Sequence, residues 1–379
     1  MKLAKLVVAL SATFALSSAA FADITIGVSL SATGPAASLG IPEKNTLTLM
    51  PTEIGGEKVR LIVLDDATDP TVATKNARRL VTEDRVDAII GSSSTPATVA
   101  MAEVAHEAKT PLVTMSPVSL PAERNEWVFR APQRNEVMAS ALVEHMKSKG
   151  YKTLGFIGFS DAYGEDWLNS VTKHAAAAGI QLAVVERYAR NDTSVTGQVL
   201  KLTMARPDAV LIAGSGSPAA LPQNTLVERG YKGQTYQTHG AANQAFLSVA
   251  GKAAEGAIFP VGPISVVKQL PDSHPSKAPG VLFLNQYEAQ FGAGSLSAFA
   301  GHAYDAYRLI EAAVPAAKAK AAPGTPEFRA ALREALEASK EVVGVHGVFN
   351  MGPTDHFGHD ERARVLARVE GGAFKLVTQ

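Results

Sequence analysis

Residues 89–108 read IIGSSSTPATVAMAEVAHEA, and this stretch decides the fold class. A short, largely apolar run, Val86 to Ile90, ends in Gly91; four hydroxyl residues follow, and an apolar pattern with helical spacing begins at Pro96. The pattern predicts a buried strand that leads through a polar loop into a helix, with Thr95 as its N-cap. Pro96 suits the first helical turn. Strand, polar loop and helix in this order are typical of a parallel α/β sheet.

The same alternation continues along most of the chain and then restarts after residue 130. Short apolar strands that alternate with helices predict parallel sheets covered on both faces, and two such series predict two doubly wound α/β lobes. Three long Ala-rich helices and several strands follow near the end of the sequence. The chain is therefore expected to cross between the lobes three times. The three crossings would form a three-strand hinge, with a ligand cleft between the lobes. The predicted boundaries are 23–131 and 262–344 for lobe 1, and 132–261 and 345–379 for lobe 2.

The first 22 residues have the pattern of a signal peptide. Lys2 and Lys5 precede an apolar segment from Leu6 to Leu16, which is too short for a membrane span. The small residues Ala20 and Ala22 then predict cleavage after Ala22. We therefore expect an exported, periplasmic protein.

Composition excludes several classes of protein. The whole chain has 36 basic and 36 acidic side chains, and removal of the signal peptide leaves a small net negative charge. No basic field is available for nucleic acid. The chain has no cysteine, so disulfides and thiolate metal sites cannot form. We expect neither a cofactor nor a metal.

Polar loops at the carboxyl ends of the strands are the candidate functional features, because ligands of open parallel sheets bind there. The hydroxyls of residues 92–95 and the free N–H groups of the following helix predict a cradle for a carboxylate. The alternative is that these residues only cap the helix. Similar polar stretches follow other strands, at residues 115–119, 159–164 and 214–218, where Ser217 is the expected N-cap.

Motifs along the mature chain resemble the leucine/isoleucine/valine-binding group of periplasmic solute-binding proteins, which serve ABC transporters. Their order and spacing carry the resemblance, since no single motif is specific. They are Gly27-Val28, Thr33-Gly34-Pro35, Leu39-Gly40, Leu64-Asp65-Asp66, Asp69-Pro70, Ala73, Ile89-Ile90-Gly91 with the serine run, Phe129-Arg130, Tyr163-Gly164 and Ala254-Glu255-Gly256.

The resemblance implies a type I periplasmic binding protein fold that closes on its ligand, no catalysis, and as partners a small carboxylate and the permease subunits in the inner membrane. We also expect a monomer. The first lobe would hold the carboxylate through the loops at 92–95 and 116–119, and the second lobe would add a tyrosine and the loop at 216–217. With His239, discussed next, the expected ligand contacts are Leu39, Ser92, Ser93, Ser94, Thr95, Ser116, Val118, Ser119, Tyr163, Gly216, Ser217 and His239.

His239 marks a departure from the family pattern. Amino-acid binders usually place an acid after the strand that corresponds to residues 235–238, where it meets the ligand ammonium. An imidazole is a poor partner for an ammonium group but a good donor to a hydroxyl, a carbonyl or a second carboxylate. We therefore expect a carboxylic acid without an α-ammonium, aromatic or branched. The alternative is that His239 is a partly exposed loop residue and that the ligand is an ordinary amino acid.

Two other functions fit the sequence less well. A ligand sensor on the same fold would pass its signal to a partner protein, and gene neighbours would distinguish it from a transporter. A hydrolase would need an activated serine, but the stretches at 158–162 and 214–217 lack the nucleophile-elbow pattern. The acidic and histidine-containing segment at 355–360 is more typical of a polar turn than of a metal site.

Overall fold

A computed structural model describes residues 23–378 of the chain. The predicted signal peptide, residues 1–22, lies outside the described residues. The described chain folds into two α/β lobes, each built on its own sheet, which confirms the predicted fold class. No helix of the described residues is long and apolar enough to cross a membrane.

The first sheet has six strands, parallel except for a short antiparallel hairpin at one edge. Its strands and the helices between them are β1 (Ile24–Leu30), α1 (Ala37–Leu47), β2 (Glu53–Ile54), β3 (Glu57–Asp65), α2 (Pro70–Thr82), β4 (Ala88–Gly91), α3 (Thr95–Glu107), β5 (Leu112–Thr114), α4 (Ala122–Asn125) and β6 (Val128–Arg130). The strand order is β2-β3-β1-β4-β5-β6. Strand β4 is buried along its whole length, as the opening stretch predicts.

The second sheet has seven strands. The two strands that come last in the sequence lie at one edge: the first of them pairs antiparallel with the parallel part of the sheet, and the second pairs antiparallel with the first. Its elements begin with α5 (Asn135–Ser148), β7 (Thr153–Phe159), α6 (Ala162–Ala177), β8 (Gln181–Tyr188), α7 (Thr196–Ala205), β9 (Ala209–Ala213), α8 (Ala220–Glu228), β10 (Gln234–Gln237), α9 (Gln244–Ala250) and β11 (Ile258–Val261). Three helices and four strands complete the chain: α10 (Lys277–Phe291), α11 (Ala298–Lys318), α12 (Pro326–Glu337), β12 (Val342–Val343), β13 (Val348–Phe349), β14 (Val365–Glu370) and β15 (Ala373–Leu376). The order is β15-β14-β11-β10-β9-β7-β8.

Each lobe is assembled from segments that are distant in the sequence. Helix α11 packs against α1 of the first lobe, where the Thr46 hydroxyl donates to the Ala300 carbonyl at 3.1 Å. In the second lobe, β14 pairs antiparallel with β11. The chain therefore passes between the lobes three times, and the crossing segments meet where the Gln133 amide donates to the carbonyls of His346 and Ala363. The residues at which the lobes divide stay a prediction.

Helix starts follow local capping chemistry, with two differences from the sequence prediction. Asp161 caps α6 by accepting from the backbone N–H of Tyr163 at 2.9 Å. Helix α3 begins at Thr95, so Ser94 rather than Thr95 is its N-cap residue, and the Thr95 hydroxyl is used elsewhere. Ser217 begins a short 3-10 helix instead of capping one, because the residue before it, Gly216, occupies the N-cap position with a φ of 62°.

Candidate ligand-binding site

The first-lobe wall of the site is the start of helix α3. Ser94 and Thr95 line a pocket between the lobes, and the backbone N–H groups of a first helical turn have no intrahelical partners. The Ser94 hydroxyl is buried and has no hydrogen-bond partner within the described residues. Thr95 uses its hydroxyl to hold the neighbouring loop, donating to the Pro117 carbonyl at 2.7 Å. One free hydroxyl and a helix N-terminus therefore face the pocket, which suits an anion.

The other two hydroxyls of the serine run have hydrogen-bond partners within the first lobe. Ser92 does not line the pocket, because its hydroxyl donates to the Asp66 carboxylate at 2.6 Å. Ser93 does line it, but its hydroxyl oxygen also accepts from the Ser31 N–H at 2.9 Å and lies against the Glu43 carboxyl group. The hydroxyls of Ser92, Ser93 and Thr95 thus already have partners within the protein, and that of Ser94 has none within the described residues.

The loop after β5 contributes differently along its length. Met115, Ser116 and Pro117 line the pocket, and the Ser116 hydroxyl is 2.6 Å from that of Thr98. Val118 instead packs in the core of the first lobe. Ser119 is exposed and donates to Asp166 of α6 at 2.9 Å, so it joins the two lobes without lining the pocket.

Tyr163 and Arg190 provide two of the polar groups at the opposite, second-lobe side of the pocket. The Tyr163 hydroxyl donates to Thr238 Oγ1 at 2.8 Å, and burial raises the pKa of Tyr163 to about 12. The Arg190 guanidinium lies 4.2 Å from the centre of the Phe159 ring. It donates to Asp161 at 2.6 Å and to the Ser215 hydroxyl at 2.9 Å. Arg190, ion-paired with Asp161, therefore brings a guanidinium group to the pocket wall.

His239 is buried in the pocket wall, with 4% of its surface exposed. Neither of its ring nitrogens has a hydrogen-bond partner within residues 23–378. Burial, and to a smaller extent His346, lowers the pKa of His239 to about 3, so the ring is neutral at neutral pH. An unpaired buried imidazole is costly, and a ligand group that supplied its partner would recover that cost.

The apolar side of the pocket comes from α1 and α11. Leu39, Phe299 and His302 line it, and Leu39 and Phe299 pack together in one small cluster. Burial, followed by the neighbouring histidines His346 and His239, lowers the pKa of His302 well below its usual value. The pocket therefore combines an apolar side with a polar one.

Gly216 and Ser217 do not line the pocket, but they lie at the contact between the lobes. A Cβ atom on Gly216 would lie 2.6 Å from the hydroxyl oxygen of Ser38 in α1. The Ser217 N–H approaches the same Ser38 oxygen at 3.4 Å. The structure therefore has its lobes in close contact on this side of the site, and a side chain at residue 216 would have to displace those of Ser38 and Leu39.

Several pocket residues were not among the expected ligand contacts. Met115, Pro117 and Ser215 lie in polar stretches identified from the sequence, whereas Arg190, Gly240, Phe299 and His302 lie outside them. The position of Arg190, two residues beyond the end of β8, was the available signal, because that place is the carboxyl end of a strand in the parallel part of the second sheet. Phe299 and His302 gave no such signal, since α11 reaches the site from a distant part of the chain.

No group of three or more metal-ligating side chains lies together in the described chain. The segment at 355–360 forms a turn, in which Asp355 accepts from the Phe357 N–H at 2.9 Å and pairs with Arg134 at 2.7 Å. His356, in the same segment, lies against the carbonyls of Asn125 and Val128. Asp355 and His356 thus have structural partners.

The neutral state of His239 gives a prediction for stability. Between about pH 6.5, the usual histidine pKa in an unfolded chain, and the folded-state pKa of about 3, only the unfolded chain binds the proton of this ring. We therefore expect the ligand-free wild type to lose free energy of unfolding relative to His239→Gln as the pH falls from 6.5 to 4, with a limiting slope of about 1.4 kcal/mol per pH unit. Urea denaturation at several pH values measures this difference, and a difference that does not change with pH would contradict the assignment.

Two doubly wound lobes with a pocket between them define the type I periplasmic binding protein fold. The chain belongs to the periplasmic binding protein family, since a family model described as "Periplasmic binding protein" matches residues 23–373. Its resemblance to the leucine/isoleucine/valine-binding group is confirmed. A Brucella melitensis relative named Leu/Ile/Val-binding protein homolog 3 is 29% identical over 264 residues, which cover 66% of this chain and 71% of the relative.

Solved structures agree with this assignment. An extracellular ligand-binding receptor from Rhodopseudomonas palustris HaA2 is 47% identical, with a TM-score of 0.93 over 94% of this chain and 100% of the receptor. A solute-binding protein of an ABC transporter from R. palustris, solved in complex with benzoate, is 20% identical, with a TM-score of 0.77 over 94% of this chain and 96% of that protein. The second similarity concerns the fold alone.

Proposed function

We propose that this protein captures a small carboxylate without an α-ammonium, aromatic or branched, and delivers it to the permease of an ABC importer. The observation that carries the proposal is the charge of the pocket wall. Within the described chain, Arg190 lines the pocket and no Asp or Glu does. A buried ammonium without a carboxylate partner loses several kcal/mol, whereas a carboxylate gains from a guanidinium and a helix N-terminus.

Other contacts support the same ligand. The apolar side chains of Leu39, Met115 and Phe299 suit an aromatic or branched group. His239 would meet a second polar group of the ligand, because a neutral imidazole can donate from one nitrogen and accept at the other. Benzoate, bound by the R. palustris protein of the same fold, is a carboxylate without an ammonium group.

A branched-chain or other amino acid is the second candidate, favoured by the name of the B. melitensis relative. Pairs of ligands distinguish the two: leucine with isocaproate, valine with isovalerate, and phenylalanine with phenylpropionate, with benzoate added to the panel. A ligand at about 100 times its dissociation constant adds about 2.7 kcal/mol of stability. We expect the melting temperature to rise by several degrees with one of the acids and to stay unchanged with its amino partner. The reverse result would replace the proposal with amino-acid transport.

The hydroxyl of Ser94 should contribute to binding of the carboxylate. Ser94→Ala is expected to weaken the affinity tenfold or more, because a hydrogen bond to a charged group contributes about 1.5–3 kcal/mol. Ser92→Ala is the matched control, since the Ser92 hydroxyl binds Asp66 and does not line the pocket. Calorimetric titration with the acid that gives the largest thermal shift measures both variants. Equal affinities of wild type and Ser94→Ala would remove this hydroxyl from the site.

Closure of the lobes is the proposed mechanism: the first lobe binds the carboxylate, and contacts from the second lobe favour the closed state. Contacts such as Ser119 with Asp166 join the lobes in that state.

A sensor that passes its closure to a signalling partner would use the same motion. Permease and ATPase genes beside this gene would support transport, and a kinase or regulator gene would support sensing. N-terminal sequencing of the secreted protein tests cleavage after Ala22 and a periplasmic location.

A further inference from the structure

Glu43 is a buried carboxyl group directly behind the pocket wall. It lies on α1, one turn after the pocket residue Leu39, and none of its surface is exposed. Its Oε2 atom is in hydrogen-bond contact with the Ser93 hydroxyl, and its Oε1 atom has no hydrogen-bond partner within residues 23–378. No cationic side chain of the described residues pairs with it, so an ionised Glu43 would be a buried, unpaired charge, which is strongly unfavourable.

A second buried carboxyl group, that of Asp66, lies nearby and is much better provided with donors. The hydroxyls of Ser31 and Ser92 donate to it at 2.7 and 2.6 Å, and the Thr68 N–H donates to it at 3.0 Å. Glu43 has one such contact, and the Coulomb interaction with Asp66 disfavours its ionisation. Burial, despite the Ser93 hydrogen bond, and then Asp66 raise the pKa of Glu43 well above its usual value.

The protonation state of Glu43 determines where the hydrogen of the Ser93 hydroxyl can point. The Ser93 oxygen already accepts from the Ser31 N–H. If Glu43 were ionised, the Ser93 hydroxyl would have to donate to it, and only lone pairs of that oxygen could face the pocket. If Glu43 is a neutral acid, it donates to Ser93, and the Ser93 hydrogen is free to turn towards the pocket that Ser93 lines.

We propose that Glu43 is held as a neutral carboxylic acid and is a positioning residue, which donates to Ser93 and thereby makes the Ser93 hydroxyl a donor to the ligand carboxylate. This inference rests on the proposed function in one respect, the carboxylate ligand. The proton held by Glu43 becomes part of the binding site, because ionisation of Glu43 at alkaline pH would remove the Ser93 donor and place a negative charge behind it. The titratable group beside Glu43 is Asp66, and the neutral His302 on α11 lines the same pocket as Ser93.

Infrared difference spectroscopy of wild type against Glu43→Gln, at neutral pH without ligand, tests the protonation state. We expect the wild type to show the carbonyl band of a protonated carboxylic acid that the variant lacks. A band of an ionised carboxylate in its place would overturn the inference. Because no ligand is present, this result is independent of the proposed function, which the panel of acids and amino acids tests separately.

Affinity measurements test the role of Ser93 as a donor to the ligand, with the panel acid that gives the largest thermal shift as the probe. Ser93→Ala is expected to weaken its affinity about tenfold, and Ser92→Ala to leave it within about threefold. Glu43→Gln should keep the affinity, because its amide also donates to Ser93, and should keep it at alkaline pH, where the wild type weakens. Unchanged affinity of Ser93→Ala, or the same pH profile for wild type and Glu43→Gln, would overturn the role of Ser93 as a donor.

Discussion

Gly216→Ala is expected to weaken ligand binding by about ten- to a hundredfold while leaving each lobe folded. The added Cβ atom would lie 2.6 Å from Ser38 Oγ and 2.7 Å from Leu39 Cδ1, and both residues belong to the opposite lobe. Overpacking of this kind costs about 1–3 kcal/mol, which here falls on the closed state alone. Calorimetry measures the affinity, and small-angle scattering should show less compaction with the panel acid than in the wild type.

Gly230→Ala is the matched control for this experiment. Gly230 lies in the same lobe and has a φ of +73°, close to the +62° of Gly216, but a Cβ atom there would have no atom within 4 Å. Both variants therefore have similar backbone strain, about 1–2 kcal/mol, and only in Gly216→Ala does the added Cβ atom contact the other lobe. If both variants bind and compact alike, the contact at Gly216 does not limit closure.

Arg190→Gln should reduce the affinity for a carboxylate by about ten- to a hundredfold. The substitution removes the charged side chain that lines the pocket, and a hydrogen bond to a charged group contributes about 1.5–3 kcal/mol. Arg187→Gln provides the comparison, because Arg187 belongs to the same part of the chain but pairs with Glu165 at the surface. Titration of both variants with the same panel acid gives the result. An Arg190→Gln protein that binds as tightly as Arg187→Gln would show that the guanidinium does not meet the ligand.

The sequence pattern predicted the architecture well because the strands are short, apolar and regularly separated by helices. It predicted no helix at residues 37–47, where α1 contains Pro42, a residue that usually ends or bends a helix. This omission matters, since α1 carries both Leu39 and Glu43. Packing of α1 against α11, which local patterns do not contain, keeps this segment helical.

The serine run shows the limit of the sequence prediction for the site. The four hydroxyls were recognised, but their directions depend on partners far along the chain: Asp66 for Ser92, Glu43 for Ser93 and Pro117 for Thr95. Ser94 alone of the four has no such partner in the described chain. Spacing within a loop cannot distinguish these cases, because the tertiary fold decides which oxygen atoms are already occupied.

The assembly of each lobe from distant segments has a consequence for the order in which the protein can fold during synthesis. The contact between Thr46 and Ala300 spans 254 residues, so the first lobe cannot complete its packing until α11 has been made. The second lobe waits still longer, since the edge of β11 is covered only when β14 arrives near the end of the chain. A nascent chain would therefore carry incomplete cores and an open strand edge almost to its last residues. Neither lobe can be cut out as one continuous fragment without the same defect.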